Sequence, residues 1–143
     1  MMQTFLPYPL FSSSLDCLDD KRLGKQRVEA RQIYDILTGK TQTKAWRHHP
    51  ALLMWKGYED ALAVYYNMSL YYWQKRGYKN IKLKPIKISD CYGFSYPPWL
   101  GIEKFHNSHK SQLLKKNPVH YGYFKHCVTE DIPYYWPTKE GLM

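Results

Sequence analysis

The stretch from Pro50 to Gly77, PALLMWKGYEDALAVYYNMSLYYWQKRG, decides the fold. Proline at its head suits the first position of a helix, and glycine at its end suits a helix stop. Between them Leu52, Leu53, Trp55, Tyr58, Leu62, Tyr65, Met68, Tyr72 and Trp73 leave few polar sides. The pattern predicts one long helix over 50–76, apolar nearly all round. Such a helix stands as the central post of a small helical domain.

Upstream, Asp19 and Asp20 offer an N-cap and a first-turn acid for a helix from Asp20 to about Leu37. Leu23, Ala30, Ile33, Tyr34 and Leu37 give that helix an apolar stripe, and Gly39 its stop. Residues 1–15 carry no charged side chain. Pro7 and Pro9 keep Phe5-Leu6-Pro7-Tyr8-Pro9 extended, laid across other elements instead of forming one.

Downstream, 78–101 is loop-like, with Pro85, Gly93, Pro97 and Pro98. Within it Lys82 to Ile88 alternates like a short edge strand. A third helix fits Ile102 to about Lys116, and Pro118 starts a short turn through Phe124. The tail Ile132-Pro133-Tyr134-Tyr135-Trp136-Pro137 is aromatic and Pro-rich. No repeat or linker interrupts the chain. The expectation is an all-α fold, one compact domain over 1–143, with three main helices joined by long aromatic and Pro-rich loops.

A chain of 143 residues can bury a core without disulfide or metal staples. Its 21 Lys and Arg against 12 Asp and Glu leave +9, which favours a polyanionic partner, nucleic acid first. No apolar run approaches the ~20 residues that span a bilayer, and no signal peptide heads the chain, so a membrane or secreted protein is not expected. Cys17, Cys91 and Cys127 are scattered and odd in number, so they read as free thiols of a cytoplasmic protein. Aromatic residues make 17% of the chain; rings among cations suit stacking on bases.

The densest chemistry lies in Asp20-Lys21-Arg22-Leu23-Gly24-Lys25-Gln26-Arg27-Val28-Glu29-Ala30-Arg31. Winding at 100° per residue puts Arg22, Lys25 and Glu29 on one side, with Glu29 at the margin of the apolar stripe. Arg27 and Arg31 fall on the stripe's far flank. A lone carboxylate at the edge of burial, among cations, suits acid/base work. The plainer alternative is an exposed helix with ion pairs worth ~0.3–0.5 kcal/mol each. A second run, Lys75, Arg76, Lys79, Lys82, Lys84 and Lys87, lies in a segment without a carboxylate between Ala61 and Ser89. It makes either a phosphate-tracking surface or a solvated loop. His106 and His109, three apart on the third helix, lack a third ligand and the HExxH pattern, so no metal site is expected. Dinucleotide, P-loop and serine-hydrolase motifs are missing.

On these residues the sequence resembles the pyrimidine-dimer DNA glycosylase/AP-lyase family. Asp20-Lys21-Arg22-Leu23 through Glu29 is similar to the family's first helix, which carries its catalytic glutamate. Lys75-Arg76-Gly77-Tyr78-Lys79-Asn80-Ile81 resembles the exit of its central helix. Asn117-Pro118-Val119-His120-Tyr121-Gly122-Tyr123-Phe124 is similar to its Pro-led aromatic C-terminal turn.

The resemblance implies an all-helical enzyme that excises a dimerised pyrimidine from duplex DNA. An N-terminal α-amine attacks C1′ and forms an imine, a glutamate supports the attack, and β-elimination nicks the strand. It implies Glu29 as that glutamate and Met1 as the amine's residue. Arg22, Lys25, Arg27, Arg31 and Arg47 would hold phosphates, with His109 and Lys110 on the helix that adds further contacts. No cofactor is implied; the partner is damaged double-stranded DNA and the protein a monomer. An α-amine, with an unperturbed pKa of ~7.7–8.0, is neutral far more readily than a lysine.

The chain departs from the family at its start, where the amine belongs to a small residue exposed by loss of the initiator Met. Here Met1 precedes Met2 and Gln3. The amine is that of Met1, or of Met2 as the true start, or a lysine such as Lys25 replaces it, or the lyase step is absent. Three rival functions remain: a glycosylase for another damaged base, a non-catalytic nucleic-acid-binding module, and a metal-dependent nuclease built on His49, His106 and His109.

Overall fold

The computed structural model describes residues 3–41, 48–88 and 94–137. Its regular elements are α1 (Phe11–Asp16), α2 (Asp20–Leu37), α3 (Pro50–Leu53), α4 (Glu59–Lys75), α5 (Glu103–Lys116) and a 3-10 turn at Gly122–His126. No paired strand or sheet occurs among the described residues, and α2, α4 and α5 are the three main helices of an all-α domain.

Helices α2 and α4 form the most extensive pair. They run antiparallel: Arg76 and Tyr78 at the end of α4 bond Asp20 at the start of α2, while Arg31 lies over Tyr66 further along. Gly24 lets them close. A Cβ there would stand 3.0 Å from the Trp73 ring. The α4 end is a Schellman cap, with Gly77 at φ 94, its N–H donating to the Gln74 carbonyl and that of Tyr78 to Trp73. Tyr78 then stacks on Trp73 at 4.2 Å, and the Arg27 guanidinium lies 4.5 Å from the centre of the Trp73 ring.

The continuous helix expected over 50–76 is interrupted. After Leu53 the chain turns, Gly57 adopts φ 88, and the helix restarts at Glu59. Gly57 tolerates the left-handed backbone, Glu59 Oε2 accepts its N–H at 3.1 Å, and Glu59 and Asp60 supply the first-turn acids. The restart was written in the sequence as Gly57 followed two residues later by paired acids. The break frees Trp55 to be fully buried with its indole N–H donating to Thr4 Oγ1 at 3.0 Å.

Beyond Pro9 the structure adds a short helix that the sequence reading does not name: Phe11 to Asp16 form α1, which buries Phe11, Ser14 and Leu15 against α4. A second expectation is corrected. The segment around Lys82–Ile88 has no partner strand; Asn67 replaces one. Its amide accepts from the Ile86 N–H and donates to the Ile86 carbonyl, both at 2.8 Å. The expected helix from Ile102 begins at Glu103, with Ile102 as its N-cap. No described helix is long and apolar enough to cross a membrane.

Candidate active site

Residues Gln3 to Leu6 are buried and extended, yet no backbone ladder holds them. Side chains from the surrounding helices do so instead. Gln26 of α2 donates to the Gln3 carbonyl at 2.9 Å and accepts the Phe5 N–H at 2.8 Å. Tyr65 of α4 donates to the Phe5 carbonyl at 2.9 Å. From α5, His109 Nδ1 accepts the Leu6 N–H at 2.9 Å, and His106 Nδ1 bonds the Leu6 carbonyl at 2.7 Å. His106 Nε2 accepts from the Gly101 N–H at 2.8 Å, so its proton sits on Nδ1 and faces Leu6. Three helices thus play the part of neighbouring strands, and buried backbone groups that would cost free energy if orphaned are paired.

Glu29 lies half-buried on α2 beside this strand. Gln26 Nε2 donates to its Oε2 at 3.2 Å. A pocket of about 140 Å³ opens over the carboxylate, lined by Phe5, Lys21, Arg22, Lys25, Gln26 and Lys116. Burial pushes the Glu29 pKa above its ordinary value, opposed by hydrogen bonding from the Gln3 backbone and by the charges of Lys25 and Lys116. A carboxyl raised in this way is a better proton carrier near neutrality than an ordinary surface glutamate. Across Lys21 and Lys25 a second concavity of about 470 Å³ is lined by Gly24, Val28, Gln32 and Trp73. Glu29 lines both concavities, which share Lys21 and Lys25, so its carboxylate lies in a recess ringed by cations.

The expected site residues divide. Arg22 and Lys25 share the pocket with Glu29, Arg22 being oriented by Asp19 at 3.1 Å. Arg27 and Arg31 stand elsewhere, bonded within the chain. Arg27 donates to Asn80 Oδ1 at 2.6 Å and to the Gly24 carbonyl, while Arg31 donates to Asp35 and to the Lys84 carbonyl. Lys110 Nζ lies 4.9 Å from the Tyr8 ring centre, away from Glu29. Met1 and Arg47 lie outside the described residues.

His109 is corrected outright. It is fully buried, packed against Phe5, Phe105 and Tyr134, and cannot reach a phosphate. Burial, then the neighbouring His106, pull its pKa from 6.5 to about 3, so it stays neutral. The histidine pair that a metal-dependent nuclease would need is spent on Leu6. Among the described residues no three His, Cys, Asp or Glu side chains gather as a metal site.

Sequence reasoning missed Gln26, Tyr65 and Lys116. Gln26 had a signal: it continues the buried spacing Leu23, Gln26, Ala30, Ile33, a polar residue inside an apolar stripe. Tyr65 read as core, and Lys116 is brought to the pocket only by tertiary packing.

The comparisons with known proteins follow the same residues. Neither the curated proteins nor the solved structures give a match. The model of the pyrimidine dimer DNA glycosylase family matches residues 2–85, more than half the chain, including the strand, Glu29 and its cations, and both helices of the α2–α4 pair. The chain belongs to the pyrimidine dimer DNA glycosylase family.

Proposed function

We propose that the protein excises pyrimidine dimers from duplex DNA through an imine formed by its N-terminal amine, and then nicks the strand by β-elimination. The observation that carries this reading is the juxtaposition of Glu29 with the N-terminal strand in a cation-ringed pocket. In sequence Met1 stands two positions before Gln3, whose carbonyl is held by the same Gln26 nitrogen that bonds Glu29.

The step runs as follows. The neutral amine attacks C1′ of the damaged nucleotide, the glycosidic C–N bond breaks, and the base leaves with the bonding pair. Glu29 takes the proton released by the amine and returns it to O4′ as the C1′–O4′ bond breaks, which opens the sugar and leaves a protonated imine between nitrogen and C1′. Loss of a C2′ proton then expels the 3′ phosphate oxygen, and water hydrolyses the imine to regenerate the amine. Cations around the pocket lower the amine's pKa and raise its neutral fraction.

Arg22, Lys25, Lys21 and Lys116 hold phosphates beside the lesion. Arg27 and Arg31 act one step back. Their bonds to Asn80 and Lys84 fix the extended segment that presents Lys79, Lys82, Lys84 and Lys87. Lys110 and Arg47 add contacts to DNA, and the protein works as a single-domain monomer.

Incubation with UV-irradiated and unirradiated duplex, each with and without EDTA, tests the reading. Strand cleavage is expected only on the irradiated duplex and unchanged by EDTA. Equal cleavage of both duplexes, or loss of cleavage with the chelator, would overturn it.

A further inference from the structure

The side-chain amide of Gln26 is fully buried, and each of its hydrogen-bonding positions is used. Oε1 accepts from Phe5 N at 2.8 Å and lies 2.6 Å from the Tyr65 hydroxyl, whose one proton is shared between it and the Phe5 carbonyl; Nε2 donates to the Gln3 carbonyl at 2.9 Å and to Glu29 Oε2 at 3.2 Å. The orientation admits no flip. An N–H at the Phe5 position must meet an oxygen, and a carbonyl at the Gln3 position must meet a donor. One rigid group is therefore bonded through both its oxygen and its nitrogen to the strand leading to the N-terminus, and through the same nitrogen to the carboxylate.

We propose that Gln26 is a positioning residue, its buried amide locking the N-terminal strand and Glu29 at a fixed separation so that amine and carboxylate meet the substrate as a unit. The inference rests on the imine reading above, and concerns a residue that this reading does not itself require. Glu29 and Gln26 lie three residues apart on α2, one turn on the same face, so the link is as stiff as the helix. A glutamine that merely filled the core would need partners, but not the catalytic carboxylate among them. A carboxylate at position 26 would keep both accepted bonds and lose both donated ones, placing a like charge beside Glu29. A glutamine alone satisfies both the strand and the acid.

The groups facing Glu29 are Lys21, Arg22 and Lys25 of α2, Lys116 of α5, Tyr65 of α4 and Tyr134 of the C-terminal segment. The Gln3 backbone also hydrogen-bonds Glu29 directly, but among these side chains none bonds both the strand and the carboxylate as Gln26 does.

The test compares the parent with Gln26→Glu, and with Tyr65→Phe, which removes one of the two donors that orient the amide and leaves the Glu29 bond in place. Single-turnover excision on UV-irradiated duplex is measured across pH, beside duplex Kd, folded fraction and the carbon-13 NMR titration of the Glu29 carboxyl. For Gln26→Glu, excision at neutral pH should fall tenfold or more with Kd changed less than threefold. The acid limb of the profile and the Glu29 titration should both move up by a pH unit or more. Tyr65→Phe should lose excision severalfold at unchanged Kd. If the folded variants show parental excision and Glu29 titration, or lose excision only in step with folded fraction, the proposal is overturned. Failure of the imine reading is separately visible: the parent would then leave irradiated duplex intact, while the Glu29 titrations would still report the coupling.

Discussion

Glu29 shows how one residue acquires a role from its surroundings. On an isolated helix it would be a solvated acid pairing with Lys25. In the fold its carboxylate is partly desolvated, bonded by Gln26, and set beside the strand that leads to the N-terminus. Glu29→Gln keeps the shape and removes both the proton acceptor and a negative charge near phosphates. Excision should fall ~10² or more, in the range of a positioned acid/base, while irradiated duplex binds at least as tightly as to the parent. Unchanged excision with weaker binding would assign Glu29 a structural role. The sequence carried Glu29 because helical periodicity alone places it with Arg22 and Lys25. It could not carry His109 correctly, because periodicity says which residues share a face and not what the face packs against. His109 looked like a surface histidine until the extended strand covered it.

Among the elements, α5 does the least visible work. It lies beyond residues 2–85, yet His106 and His109 hold both polar groups of Leu6 and so anchor the strand from the side opposite Gln26. Both rings have pKa values lowered chiefly by burial, His109 to about 3. The sign follows from linkage. Below about pH 6.5 the unfolded chain binds protons that the folded chain refuses, so stability is lost as pH falls from 6.5 towards 3. For one such histidine the slope approaches about 1.4 kcal/mol per pH unit. Denaturant midpoints between pH 7 and pH 5 measure it. His109→Asn retains an acceptor for the Leu6 N–H and removes the titration; it should lower stability at pH 7 by about 1–3 kcal/mol and flatten the acid slope. A parental slope in this variant would mean that other groups carry the acid sensitivity. The bounds of α2 were legible from its first-turn acid, its stripe and Gly39, although Asp19 spends its carboxylate on Arg22 and Tyr121 and makes no capping bond, and the end of α5 from Pro118. The break between α3 and α4 was masked because Trp55, Tyr58 and Leu62 keep apolar residues coming on either side of Gly57, which hid the paired acids that restart the helix.

For the whole molecule, the all-α architecture and three main helices were legible because long periodic segments and their stops dominate the chain. The strand at residues 3–6 was legible only as an extended stretch. What it pairs with is decided by side chains as distant in sequence as His109, and no local pattern announces a strand held by glutamine, tyrosine and histidine instead of a sheet. That arrangement supports our central proposal, that an N-terminal amine acts together with Glu29. Borohydride reduction during reaction with UV-irradiated duplex tests it most directly, since an imine between an amine and C1′ is reduced to a stable protein–DNA crosslink. The account predicts a crosslink that forms only on irradiated duplex and maps, after proteolysis, to the N-terminal peptide, which contains no lysine before Lys21. A crosslink at Lys21 or Lys25, or excision with no trapped species, would contradict it.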